Sequence, residues 1–199
     1  SLLQVARQEC ALNQVVQHAP QGFQVATLVR DGVAPQAGSD EARRLAKAFD
    51  VLVKGQGGIV IVDGELQRDG SFAVPVLAES EIVVQVSTSA TSITNAYALV
   101  KRLAQAFGRR PFGILVTGAS EAEAEIVYDN MSQAASLYLA VTLTSMGSVP
   151  ADEYLHRAAR LGRSVVDAFP MAGASVAFRQ LAGRFAMARQ GGFGSRFGS

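Results

Sequence analysis

Short apolar runs alternate with amphipathic stretches along most of the chain. Strands are predicted at residues 23–29, 57–63, 81–86, 112–117 and 141–144. The runs at 57–63, 81–86 and 112–117 are largely apolar, which is typical of strands that are buried on both faces of a parallel sheet, whereas 23–29 alternates between apolar and polar residues. Helical spacing of apolar residues predicts helices at about 40–53, 73–80, 95–107, 121–139, 152–161 and 172–188. This alternation predicts an α/β fold with a doubly wound, mostly parallel sheet that is flanked by helices.

The composition is that of one globular domain. The chain has 199 residues, of which 49% are hydrophobic and 18% are charged. This length is sufficient for one well-buried core and does not require a second. Residues 190–199 consist mainly of Gly, Ser, Phe and Arg, a composition that is typical of a flexible segment. The sequence therefore predicts a single domain over residues 1–189, followed by a flexible tail.

Charge and cysteine content narrow the classes of function. The formal net charge of +1 provides no strong field for nucleic acid, so we expect no direct contact with it. The single Cys10 excludes an internal disulfide and favours a cytoplasmic protein with a buried structural thiol. His18 and His156 are far apart in sequence, which argues against a metal site built from His and Cys.

The usual phosphate-binding loops are missing from this sequence. A P-loop needs a glycine-rich turn and a Lys that is followed by Ser or Thr. The three lysines are Lys47, Lys54 and Lys101, and none of them has that context. The glycines at 55, 57 and 58 precede a predicted strand, whereas a dinucleotide-binding fingerprint would connect a strand to a helix.

Asp63 is the best single candidate for a functional side chain. It follows the apolar run at 57–62, at the sheet edge where open α/β sheets bind their ligands. An acid in that position can hold Mg²⁺ or orient an attacking water. Alternatively, its carboxylate caps the turn that follows.

A family resemblance is carried by residues 91–101 and by four later segments. The first segment resembles the corresponding part of MinD/ParA-like ATPases, in particular the FlhG/FleN branch, which controls flagellar number and placement. Further similarity lies at 138–143, 147–158, 165–170 and 175–182, and in total it covers about residues 2–188. The first segment reads Thr91-Ser92-Ile93-Thr94-Asn95-Ala96-Tyr97-Ala98-Leu99-Val100-Lys101.

The resemblance implies a P-loop NTPase-like fold of the MinD type that is incomplete at its amino end. In the family, a Walker A loop precedes the point where this sequence starts, and ATP binding promotes dimerisation and membrane association. Asp63 occupies the place of the Walker B acid, which implies a catalytic and Mg²⁺-binding role. Thr117 replaces the usual Asn beside adenine, and the turn from Pro150 to Asp152 keeps the adenine-flanking pattern, at best through its backbone.

The sequence departs from the family directly after Asp63. Residues 64–70 replace the switch segment that normally follows the Walker B acid. Truncation at the amino end would not rewrite these residues, so this departure favours a regulator whose hydrolysis is weakened or lost. Two alternatives remain open. One is an active ATPase whose P-loop lies upstream, and the other is an accessory factor of another polar or secretory machine, such as cellulose synthesis.

The resemblance also suggests cofactors and partners. We expect ATP or ADP with Mg²⁺ if nucleotide binding survives, and otherwise no cofactor. The implied partners are flagellar assembly proteins, among them a signal-recognition-type GTPase, and a homodimer is left open. Residues 178–189 carry apolar and basic side chains at helical spacing, so this last helix either packs against the sheet or contacts a membrane surface from the cytoplasm.

Overall fold

The computed structural model describes residues 1–30, 34–54 and 58–191, with side chains up to residue 185. These residues form two compact units, Ser1–Ser80 and Glu81–Ser199, called here the amino-terminal and the carboxyl-terminal unit. The prediction of one domain over 1–189 stays a prediction, since compactness alone does not show whether the units fold together.

The amino-terminal unit contains two α-helices and one short hairpin. Its elements are α1 (Leu2–Ala6), a 3₁₀ turn (Leu12–Gln14), β1 (Val16–His18), β2 (Gln24–Ala26), α2 (Asp40–Lys54) and a second 3₁₀ turn (Pro75–Glu79). The strands β1 and β2 pair antiparallel. The backbone N–H of Ala42 donates to the Ser39 hydroxyl at 3.1 Å, so Ser39 caps the start of α2. Leu45 and Phe49 of α2 then pack into a small apolar cluster with Leu2 and Leu3.

The predicted buried strand at 57–63 is wrong in the part that the structure describes. Residues 59–67 have no regular secondary structure. The side chain of Ile61 is 83% exposed, and those of Ile59 and Val60 are also exposed. A strand needs a partner for its backbone hydrogen bonds, and β1 and β2, the only strands described in this unit, pair with each other. The strong β propensity of these residues is therefore not sufficient to form a strand without a neighbouring strand to pair with.

The carboxyl-terminal unit contains a three-stranded parallel sheet. Its strands are β3 (Val83–Ser87), β4 (Phe112–Thr117) and β5 (Leu143–Val149), arranged in the order β3-β4-β5. All pairs are parallel, with Val84 opposite Ile114 in the first ladder. This sheet and its flanking helices confirm the predicted α/β fold, consistent with a P-loop NTPase-like fold of the MinD type. The strand predicted at 141–144 begins two residues later and extends to Val149.

Two long helices pack against this sheet. The helix α3 (Ala90–Phe107) contacts β3, and α4 (Glu121–Leu139) contacts both β4 and β5. The bounds of α4 are as predicted, and its start is stabilised by a capping box between Ser120 and Glu123. Val100 and Leu103 of α3 are buried, as the helical pattern predicted.

Three further helices complete the carboxyl-terminal unit. They are α5 (Glu153–Arg160), α6 (Val165–Ala168) and α7 (Gly173–Gly191). The fully buried Ser175 hydroxyl shares its single proton between the carbonyls of Val165 and Phe169, at 3.0 and 2.8 Å, and so ties α7 to α6. Of the predicted tail at 190–199, the first two residues belong to α7, and the others lie outside the described residues. Among the helices described, none combines the length and apolarity needed to cross a bilayer.

Candidate functional site

A cavity of about 640 Å³ lies where β4 and β5 end. Ligands in open α/β sheets bind beyond the carboxyl ends of the strands, so its position suits a binding site. Three of the four residues that the sequence singled out line this cavity, namely Thr117, Pro150 and Asp152. The structure thus brings together residues that are more than thirty positions apart in the chain. Their role in binding a cofactor stays a prediction.

The cavity has an apolar body with a polar margin. Its apolar lining includes Leu115, Leu155 and Phe178, whereas Gln85 and His156 contribute polar groups. Binding sites for small organic molecules are mostly apolar, with a few polar groups that fix the orientation of the ligand.

Thr117 is held in place by two hydrogen bonds. Its Oγ1 accepts a bond from Nε2 of Gln85 at 3.2 Å. The Thr117 hydroxyl donates in turn to the carbonyl of Val86 at 3.5 Å. Thr117 ends β4 opposite Ser87, the last residue of β3, so the parallel register places its side chain within reach of Gln85.

Both carboxylate oxygens of Asp152 accept hydrogen bonds from the protein. Its Oδ1 accepts from the backbone N–H of Tyr154 and its Oδ2 from that of Ala174, both at 2.9 Å. Both bonds stabilise the ionised carboxylate and lower the pKa of Asp152 below its usual value, and the bond from Ala174 has the larger effect. Asp152 therefore fastens the starts of α5 and α7 together. A contact of this turn with a ligand through its backbone, which the resemblance implied, stays a prediction.

Asp63, the fourth predicted residue, belongs to the amino-terminal unit. It is exposed and lines a second, larger cavity of about 1500 Å³ within that unit, together with Leu66 and Phe72. Its carboxylate makes no hydrogen bond to residues 1–30, 34–54 or 58–191, so the alternative of a turn cap gains no support. Its catalytic role stays a prediction.

The described residues do not form a metal site from protein ligands alone. In the part of the chain that the structure describes, no group of three or more His, Cys, Asp or Glu side chains could hold a metal ion. Magnesium is usually held by one or two carboxylates together with waters and substrate phosphates, and Asp63 supplies a single carboxylate. We therefore derive no chemistry through a metal, and Mg²⁺ binding at Asp63 stays a prediction.

The segment after Asp63 forms a turn that is closed by its own hydrogen bonds. The backbone N–H of Gln67 donates to the carbonyl of Ser71 at 2.9 Å, and that of Gly70 to the carbonyl of Gln67 at 3.1 Å. Asp69 accepts from both the N–H and the hydroxyl of Ser71, and these bonds lower the pKa of its carboxyl. Gly70 has a φ of +84°, which favours glycine.

Gln85 is a site residue that the sequence reasoning missed. The available signal was a long polar side chain inside a strand of valines, Val83–Ser87. Within the carboxyl-terminal unit, this side chain is exposed and lines the cavity beside Thr117.

Comparison with known proteins adds one relative. No family model matches the chain. The chain is 33% identical over 125 residues to the protein named Antiactivator FleN of Pseudomonas aeruginosa. The predicted resemblance to the FlhG/FleN branch is confirmed. The match covers 62% of the chain and 45% of the relative, so the chain spans less than half of the FleN sequence.

Proposed function

We propose that this FleN-like chain regulates flagellar assembly or placement by binding protein partners, with nucleotide hydrolysis weakened or lost. The observation that carries the proposal is its similarity to a protein named as an antiactivator. An antiactivator counters an activator, and it can do so by occupying a surface of that partner. The proposed partners are accordingly proteins of flagellar regulation and assembly. A homodimer of this chain would present two copies of each surface that binds a partner.

The proposal of weak hydrolysis rests on the segment after Asp63. A switch segment has to rearrange with the state of the nucleotide, and it does so through contacts to the terminal phosphate and its Mg²⁺. Residues 67–71 instead form a turn whose hydrogen bonds are satisfied internally. Asp63 itself lies in irregular, exposed chain, without the support of a strand. This arrangement lacks the preorganisation that phosphoryl transfer needs.

A nucleotide would then bind to this protein as a ligand and be hydrolysed only slowly. The support for binding is the cavity that Thr117 and Pro150 line together. ATP or ADP placed there would contact the carboxyl ends of β4 and β5 and the turn held by Asp152. Occupancy of this cavity would therefore favour one arrangement of α5 and α7, and so one set of partner surfaces.

The test combines ATP turnover with genetic complementation. We expect the full-length protein with Mg²⁺ to hydrolyse ATP no faster than its Asp63→Ala variant. In a strain that lacks the gene, both versions are expected to restore the normal number of flagella per cell. Glu65→Ala changes a neighbouring exposed carboxylate in the same segment and is the matched control.

Two results would favour the alternatives. Robust Mg²⁺-dependent hydrolysis that Asp63→Ala abolishes, together with failed complementation, would establish an active switch. Normal flagella in the deletion strain, with the loss of another polar or secretory product such as cellulose, would point to an accessory factor of that machine.

A further inference from the structure

Two arginines meet at the turn between α6 and α7. The guanidinium carbon of Arg157 on α5 lies 4.8 Å from the ring centre of Tyr154 and 5.3 Å from that of Phe169. The Arg179 guanidinium on α7 donates to the carbonyl of Pro170, the next residue of the turn, at 2.6 Å. Because Phe169 and Pro170 are consecutive, these contacts hold two positive charges at one place on the surface.

These two charges lack carboxylate partners in the part of the chain that the structure describes. The ion pairs found there use other cations, so neither Arg157 nor Arg179 is neutralised by an acid. A guanidinium that stacks on a ring can still donate hydrogen bonds along its edge. Met171 follows Pro170 directly and is 87% exposed. We call Arg157, Met171 and Arg179 the basic surface, which combines two cations with one exposed apolar side chain.

The helix α4 carries a surface of similar composition and opposite charge. Glu125 and Asp129 are exposed and lie one helical turn apart, about 6 Å along the helix axis. Ile126 is next to Glu125 in sequence and is 62% exposed. Neither carboxylate forms an ion pair with the described residues, and the capping box at the start of α4 uses Glu123 instead. We call Glu125, Ile126 and Asp129 the acidic surface.

A second copy of this chain complements both surfaces at once. Each surface offers two charges and one apolar side chain, and the charges are opposite in sign. Such complementarity steers association and sets the register in which two surfaces meet. An anionic membrane would attract the basic surface and repel the acidic one, so it accounts for only half of this pattern.

We propose that the basic surface of one copy binds the acidic surface of a second copy, so that the copies associate head to tail. The two guanidinium groups pair with the two carboxylates, and Met171 packs against Ile126. The two surfaces share no residue, so the contact is heterologous and leaves one surface of each kind free at the ends. Further copies can therefore add, unlike in a two-fold dimer. This inference goes beyond the proposed function and requires no nucleotide.

The inference is tested by analytical ultracentrifugation of the nucleotide-free, full-length protein. We expect the average mass to rise with protein concentration beyond that of a dimer, and to fall at high salt, which screens exposed ion pairs. Reversing the basic surface with Arg157→Glu and Arg179→Glu should weaken association about tenfold or more, because two attractive pairs become repulsive. Lys101→Glu with Arg109→Glu makes the same change at two exposed positions elsewhere in the carboxyl-terminal unit and should leave association as in the wild type.

Mixing two variants separates a direct contact from a merely structural effect. Reversing the acidic surface with Glu125→Arg and Asp129→Arg should also abolish association of that variant with itself. An equimolar mixture with the variant of the basic surface should recover association, since each reversed surface then meets its complement on the other variant. A structural defect in either variant would not be repaired by mixing.

Several outcomes would overturn the inference. One is a wild type whose mass does not change with concentration, and this result would leave the proposed function intact, because ATP turnover and complementation test that separately. Another is association that survives both reversals, or a mixture that does not recover it. A third is unchanged association while the reversed basic surface loses binding to phosphatidylglycerol vesicles, which would assign this surface to a membrane. If the reversed variants do not fold, Arg157→Gln and Glu125→Gln should each weaken association about threefold, and no change would contradict the contact.

Discussion

At the scale of single residues, Asp152 shows how a position of a binding motif also serves the fold. Its two carboxylate oxygens accept from Tyr154 and Ala174, at the starts of two different helices. The resemblance gave this turn a place beside adenine, and the structure lines the cavity with it. The side chain contributes by fixing the turn, so its removal should first be visible in stability.

The stability provided by Asp152 should depend on pH. Because its pKa is lower in the folded chain than the ordinary value of 3.8, the unfolded chain binds the proton more readily. The carboxylate therefore stabilises the fold above about pH 4, and this contribution is lost as the pH falls through the lower folded pKa. Asp152→Asn can keep only one of the two bonds, and we expect a lower Tm than wild type at pH 7.

Thermal unfolding between pH 7 and pH 2 measures this effect. The gap in Tm between wild type and Asp152→Asn should stay constant down to about pH 5 and narrow below pH 4. Glu153→Gln is the control, since its carboxylate is exposed and accepts no hydrogen bond within the described ranges. A gap that is equally wide at pH 2 would contradict the assignment.

At the scale of elements, α3 shows how hydroxyl groups set the start of a helix. The sequence predicted this helix from about residue 95. The structure starts the helix at Ala90, because the Ser89 hydroxyl accepts from the N–H of Ser92 at 3.2 Å. The Thr94 hydroxyl donates to the carbonyl of Ala90, so the hydroxyl groups of Ser89 and Thr94 both bind the helix backbone.

Packing of α3 against the sheet should contribute more than any exposed apolar contact. The side chain of Leu103 is 2% exposed, whereas that of Leu137 on α4 is 71% exposed. Leu103→Ala should lower the free energy of unfolding by about 2–5 kcal/mol, because it leaves a cavity in the core. Leu137→Ala should change it by no more than about 0.5 kcal/mol. Urea unfolding of both variants makes the comparison, and similar losses would rule out the assigned packing.

At the scale of the whole molecule, the two units differ in how well they cover their apolar residues. In the carboxyl-terminal unit, β3, β4 and β5 form one continuous sheet with buried residues such as Ile114 and Val116. The amino-terminal unit buries fewer apolar residues, and its irregular segment at 59–61 leaves three large apolar side chains exposed. Small units that bury little apolar surface are marginally stable.

The fragment 81–199 is therefore expected to fold without the remainder of the chain. It should show a single cooperative transition in thermal and urea unfolding monitored by circular dichroism. The fragment 1–80 should show a broad transition at lower denaturant, since it has less buried surface to lose. A fragment 81–199 that unfolds without cooperativity would instead support the prediction of one domain over 1–189.

The contacts of α7 bear on the two alternatives for the last helix, which are packing against the sheet and contact with a membrane surface. It packs against β5 and α6, and Arg184 donates to the carbonyl of Ser145 on β5 at 3.4 Å. This contact supports the interpretation of packing against the sheet up to Arg184. Contact of this helix with a membrane surface stays a prediction.

The sequence by itself determined the elements whose signals are local. The helix at 121–139 and the strand at 112–117 were predicted with correct bounds, because their patterns of apolar residues lie within the segments themselves. It also determined the family resemblance, since residues 91–101 are contiguous. In each case, the information that decides the structure is carried by neighbours in the chain.

Only the tertiary structure decided what depends on partners that are distant in sequence. The run at 57–63 has the composition of a strand, but the described chain provides no neighbour for its hydrogen bonds. Thr117, Pro150 and Asp152 become one cavity wall only through the parallel order of the sheet. The side chain of Gln85 meets its hydrogen-bond partner, the Thr117 hydroxyl, only across the β3–β4 ladder. These properties depend on pairing across the sheet, which a local pattern does not encode.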